Sequence, residues 1–253
     1  ISSDGNLGLE EGQKFERGGI YRFTVDVTKG NTKAVLTVEK IGKVDLPAPD
    51  IFFGNDKMEV TDTDIYKSDQ VFTQGQMITV TGIDNLNEWW IDPDFFEKQS
   101  DGALKFLPIN GDYRVTANAV LKYFSVMALK DGKPAKLQDD GTGAIWAIGK
   151  GIGKPSVTSS EVGWEPSKAL CLAQVASKKY QLTLKAGETL KTSGDPEVIS
   201  FKFFHQNDWG GEFGNYASNT LVEQLKLADS GNLALQDTHS FEEKAVYKNN
   251  NNE

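Results

Sequence analysis

The chain has almost no sulfur chemistry to offer. Of its 253 residues one is cysteine, Cys171, which excludes an intrachain disulfide and a cysteine metal cluster. Only two histidines occur, His205 and His239, too few for a histidine-rich metal site or a histidine relay. Positive charge is also short: 27 Lys and Arg stand against 36 Asp and Glu, a formal net charge of −9. A nucleic-acid groove or an anionic membrane surface needs clustered cations, so nucleic acid is not an expected partner. No run approaches the roughly 18 consecutive apolar residues of a spanning helix. The opening Ile1-Ser2-Ser3-Asp4-Gly5 lacks the basic-then-apolar pattern of a secretory leader. That leaves a cytosolic chain or one whose leader lies upstream.

Aromatics are plentiful instead, with 5 Trp, 7 Tyr and 14 Phe. Period-two alternation recurs in Tyr21–Val27, Ala34–Glu39, Met77–Thr81, Tyr113–Ala117, Tyr180–Leu184 and Ser200–Phe204. Gly, Pro, Asn and Asp clusters separate these runs at short spacing, the pattern of an all-β sandwich. The best helix candidate is Asn219–Leu227, with Leu221, Val222, Leu225 and Leu227 on a roughly helical spacing.

The chain also repeats itself. Gly5-Asn6-Leu7-Gly8-Leu9, Phe15-Glu16 and Tyr21 recur as Gly231-Asn232-Leu233-Ala234-Leu235, Phe241-Glu242 and Tyr247. The two stretches align without a gap and agree at seven of seventeen positions. A shorter copy runs from Asp101-Gly102-Ala103-Leu104 to Gly111-Asp112-Tyr113-Arg114, matching Gly19-Ile20-Tyr21-Arg22. Three segments follow: a partial N-terminal β module over 1–43, a middle β-sandwich module over 44–138, and a C-terminal module over 139–253. The first begins as a back half and the last stops short of one. Either the chain was cut from a longer one, or the N-terminal strands complete another module.

Several chemical motifs fail on inspection. Gly149-Lys150-Gly151-Ile152-Gly153-Lys154-Pro155 has Ile148 and Pro155 where a phosphate loop needs Gly and Ser or Thr, and reads as a flexible loop. Asp62, Asp64 and Asp69 suggest calcium, but Tyr66 and Lys67 stand where a calcium loop needs Asp or Asn and Gly, so an acidic turn is expected. No metal or cofactor is expected. Cys171 lies in the apolar run Ala169–Ala173 and reads as a small hydrophobe. Carboxylates beside tryptophans are harder to set aside. Glu88, Asp92 and Asp94 lie near Trp89 and Trp90, and Asp208 and Glu212 flank Trp209. Such pairs serve glycoside hydrolysis when held across a cleft.

The sharpest signal is Asn207-Asp208-Trp209-Gly210-Gly211-Glu212-Phe213-Gly214-Asn215-Tyr216. Its three aromatics fall within eight residues of Gly- and Asn-rich chain, and its glycines let the backbone expose rings. Trp164, in Gly163-Trp164-Glu165-Pro166, is a second loop aromatic. A sugar ring stacks its C–H face on such side chains while Asn, Asp and Lys bind its hydroxyl rim. The opposing reading is that these rings cap a core. Trp146, inside a strand, is expected in the core, and of the adjacent Trp89 and Trp90 one faces in and one out.

The order of features in the last module resembles a known family. Ile145–Gly149, then Gly163-Trp164, then Leu184-Lys185-Ala186-Gly187, then Phe201-Lys202-Phe203 leading to Trp209 resembles the carbohydrate-binding modules of SusE- and SusF-like outer-membrane proteins of Bacteroidetes. Gly19–Thr28 resembles their closing strands. The middle segment, and the stretch from Lys191 to Val198, depart from the pattern. The resemblance implies tandem immunoglobulin-like β-sandwich modules and glycan binding in support of starch-utilisation-like uptake, without catalysis. It implies a lipoprotein at the cell surface, anchored in the outer membrane through a cysteine upstream of Ile1, and SusC- and SusD-like partners. By motif, Trp209 and Trp164 are candidate stacking residues and Lys202 a candidate donor. Phe213, Tyr216, Asn207 and Asp208 join them from the loop's composition. A monomer is expected. Two other readings remain open: a glycoside hydrolase or its accessory domain, and a structural or protein-interaction sandwich.

Overall fold

The computed structural model describes residues 15–26, 35–45, 47–191, 193, 199–213, 225–227 and 233–235. Among them the chain is all-β and sandwich-type, with only three short 3-10 turns as helical elements.

The middle segment is built on one mostly antiparallel sheet, which Trp90–Ile91 joins in parallel beside Tyr123–Lys130. Gly111–Asn118 lies between Ile65–Phe72 and Tyr123–Lys130, with Glu59–Asp62 and Lys133–Pro134 at the edges. Tyr113, Val115 and Ala117 are buried and alternate with half-buried Arg114, Thr116 and Asn118, the period two of a sheet covered on one face. Two small sheets cover that face. One pairs Phe52–Phe53 with Asp56–Lys57 and Val80–Thr81, and the other pairs Leu104–Phe106 with Phe96–Lys98 and Met77–Ile78. Rings fill the gap: Phe53 meets Phe124 at 5.4 Å, and Phe72 meets Phe106 at 4.9 Å. Offset and edge contacts of this kind add to the area that the rings bury.

In the C-terminal segment Trp146–Lys150 pairs with Leu170–Cys171 and Ser200–Phe204. Leu233–Leu235 and Leu225–Leu227 extend the sheet beyond Ser200–Phe204. The helical spacing at Asn219–Leu227 misleads in part, because Leu225–Leu227 is a strand held by register with Leu233–Leu235. Residues 219–224 lie outside the described residues. Strand pairing overrides local helical spacing there. Met77–Thr81 is similarly broken: its two ends join different small sheets, so Thr79 carries the crossing.

Gly149–Pro155 is not a flexible loop. Gly151, Ile152, Gly153 and Lys154 are buried. A Cβ at Gly153 would stand 1.8 Å from the Ser160 carbonyl oxygen, and one at Gly149 would stand 2.3 Å from Phe201 Cα. The glycines admit close backbone approach, a packing role that composition alone reads as mobility.

The middle and C-terminal segments share one continuous cluster of buried side chains. Hydrogen bonds cross between them: Trp146 Nε1 donates to the Ala135 carbonyl at 2.9 Å, and the Ile109 amide to the Gln174 carbonyl at 2.8 Å. The N-terminal strands Gly19–Asp26 and Val35–Lys43 form a separate two-stranded ribbon. Arg17, just before it, pairs with buried Asp64 of the middle segment.

Candidate functional site

The chain after Ser200–Phe204 turns back on itself. His205 donates its amide to the Gly211 carbonyl at 2.8 Å, and Phe213 donates to the Phe203 carbonyl at 2.9 Å. Gly210 and Gly211 close the turn at φ of +83° and +68°, the left-handed region that favours glycine. Trp209 therefore sits at a hairpin tip and is 50% exposed. Its ring meets Phe204 edge-on at 5.9 Å and lies near-parallel to Trp164, 27° between planes and 6.4 Å between centroids. Trp164 is half-buried and packs against the core. The two rings are thus a ladder from core to solvent.

Polar residues brace the tip. Asp208 Oδ1 accepts the Trp209 amide at 2.7 Å, and Gln206 Nε2 donates to the Trp209 carbonyl at 2.6 Å. Asn207 is different: its Oδ1 is shielded from solvent and has no hydrogen-bond partner. A buried acceptor left in that state is costly. Lys202 is half-buried and lies two residues before Phe204, hence on the sheet face that Phe204 shares with Trp209. Phe213 packs edge-on against His205 at 4.3 Å. Tyr216 lies outside the described residues.

The other tryptophans are structural. Trp146 is buried and hydrogen-bonded, and Trp89 is buried and stacked on Phe124 at 4.8 Å, while Trp90 is half-buried. Cys171 is buried, and burial pushes its thiol up to about 12. Among the described residues no group of three His, Cys, Asp or Glu side chains could hold a metal. Asp64 and Asp69 are instead paired with Arg17 and Arg114.

The carboxylates near Trp90 belong to a second cluster. Glu88 is exposed and pairs with Lys122. Asp92 and Asp94 are buried and converge on Lys154, whose Nζ lies 2.9 and 2.7 Å from the two oxygens of Asp92 and 3.0 Å from Asp94 Oδ2. Asp94 also accepts the Thr183 amide at 2.8 Å, the Thr183 hydroxyl at 2.6 Å and Gln181 Nε2 at 3.1 Å. Burial raises the Asp92 carboxyl above its usual range. Burial opposes ionisation of Asp94 too, but the Lys154 charge and the Thr183 donors outweigh it and hold that carboxyl low. Burial likewise opposes the Lys154 charge, and the facing carboxylates outweigh it. Sequence reasoning placed Asp92 and Asp94 together but missed Lys154, Thr183 and Gln181. No local pattern signals a contact across 62 residues.

These features define an all-β, sandwich-type chain with an exposed aromatic hairpin and a buried lysine–carboxylate cluster. More than half of the chain, residues 1–28 and 140–251, matches the family described as Domain of unknown function (DUF5121), and the chain belongs to that family. Residues 45–137 match a second description, Domain of unknown function (DUF5125). No curated protein and no solved structure shows significant similarity to the chain.

Proposed function

We propose that this protein binds an oligo- or polysaccharide without breaking a bond, through the Trp209 hairpin. The carrying observation is the pair of near-parallel indoles, one anchored in the core and one half exposed. A sugar laid on Trp209 gains C–H to ring contact, with Lys202 a donor on the same sheet face for its hydroxyls. Attachment to the outer-membrane surface, with SusC- and SusD-like partners, follows from the resemblance to SusE- and SusF-like modules. The two family matches support a chain of three segments, the middle one lying between two stretches of the other family.

A hydrolase would draw on the carboxylates near Trp90 or Trp209. Asp92 and Asp94 are buried against Lys154, Thr183 and Gln181, and exposed Asp208 turns one oxygen to the Trp209 amide, so binding is the better supported reading.

A glycan array with the wild type and Trp209→Ala tests it. The variant is expected to lose glycan binding while its unfolding free energy changes by less than about 1 kcal/mol, since a half-exposed ring leaves no cavity. Unchanged array profiles, or turnover of a bound glycan, would reject the proposal.

A further inference from the structure

Lys154, Asp92 and Asp94 form the most deeply buried charged cluster among the described residues, with side-chain exposures of 4%, 4% and 0%. One cation faces two carboxyl groups, so full ionisation leaves a net negative charge in a site of low dielectric. Phe95 lies under the ammonium at 5.9 Å, adding an aromatic wall. A lysine amine held against one carboxyl, with a second carboxyl in contact with the same nitrogen, is the constellation that amide formation requires.

We propose that Lys154 and Asp92 condense into an intramolecular isopeptide bond, with Asp94 positioned as the proton acceptor. Asp94 takes a proton from the Lys154 ammonium, and the free amine attacks Cγ of the protonated Asp92 carboxyl. Asp94 gives that proton to the departing hydroxyl, which leaves as water, and its regenerated carboxylate takes the amine proton, so Asp94 ends protonated and the cluster ends neutral. The C–N bond forms, a C–O bond breaks, and one water leaves. No oxidation, reduction or co-reactant is needed. The first proton transfer is uphill, because the cluster favours charged Lys154 and charged Asp94. It is offset by removing two buried ions from a site where each is costly, so condensation follows folding slowly. Burial raises the Asp92 carboxyl, which favours the neutral electrophile that the step needs. A cavity of about 290 Å³ lined by Asp92, Lys154, Ser125 and Ser156 gives the water an exit.

The Thr183 and Gln181 contacts fix Asp94 in place, which separates an acceptor from an electrophile. The bond would fasten the middle segment to the C-terminal one across 62 residues of chain. Glycan binding at Trp209 neither requires it nor is required by it.

Mass spectrometry of the whole chain decides the matter. The folded protein is expected to be lighter than its sequence by one water, and tryptic peptides 68–98 and 151–168 are expected to appear joined. The peptide measurement is needed because Asp-Gly steps elsewhere can also lose water by succinimide formation. Lys154→Arg and Asp94→Asn are expected to give separate peptides at full mass. Separate peptides in wild-type protein held folded for days would overturn the proposal, whether or not the variants fold. Joined peptides in Asp94→Asn would overturn the role assigned to Asp94.

Discussion

The strands Gly19–Asp26 and Gly111–Asn118 open with one pattern, glycine, a variable residue, tyrosine and arginine, yet sit in opposite surroundings. Their local geometry is the same. Each tyrosine ring covers the glycine two residues earlier: a Cβ at Gly19 would stand 2.5 Å from the Tyr21 ring, and one at Gly111 would stand 3.4 Å from the Tyr113 ring. Each hydroxyl reaches back to the chain before the strand, Tyr21 accepting the Glu16 amide at 2.8 Å and Tyr113 donating to the Ile109 carbonyl at 2.9 Å. Each arginine faces an acid directly across the ladder, Arg22 opposite Glu39 and Arg114 opposite Asp69. Beyond that the strands part. Val115 and Ala117 are sealed in the core, while Phe23 and Val25 are 57% and 58% exposed. A short pattern dictates how a strand begins, and the layers stacked on it dictate what it buries.

The comparison can be broken at the tyrosines first. Tyr113→Ala is expected to cost about 3–5 kcal/mol in chemical unfolding, as for other buried rings, and Tyr21→Ala about 1 kcal/mol. Equal losses would mean that the ribbon is packed against something in solution. A smaller effect is expected at the valines. Val115→Thr places a hydroxyl in the core at about 1–3 kcal/mol, while Val25→Thr stays within about 0.5 kcal/mol.

The arginine pairs sharpen the contrast least. Arg114 holds Asp69 through two bonds of 2.7 and 2.6 Å, whereas the Arg22–Glu39 approach is a single 3.8 Å contact. Arg114 holds the Asp69 carboxyl below its usual range. A lowered carboxyl contributes stability above its unfolded pKa and loses it as pH falls through the folded one. Asp69→Asn is therefore expected to cost about 1 kcal/mol or less at neutral pH, since Asp69 is partly exposed and screened. That deficit should vanish in acid. Urea midpoints of both proteins across the acid range check this, and a deficit that persists would assign it to packing. Glu39→Gln is expected to change stability by less than about 0.5 kcal/mol.

Much of the fold was legible. Ser200–Phe204, Tyr113–Ala117 and the two N-terminal strands follow from period-two alternation. Tyr180–Leu184 was less so, since only Lys179–Gln181 is a strand, and Thr183 leaves the ladder to bind Asp94. Glycine and tryptophan at 209–211 were legible as an exposed turn because left-handed backbone and a large ring in a loop are local properties. The Lys154 cluster was not: a lysine ending a glycine run looks solvated until three distant segments close around it.

The residue order by itself determined where strands alternate, how two of them begin, and which loop presents an indole to water, because those depend on neighbours a few residues away. Which faces are covered, which glycines serve close packing, and which lysine is stripped of solvent between two carboxyls were decided only by the tertiary structure. Burial sums contributions from segments far apart in the chain, and no local window contains that sum.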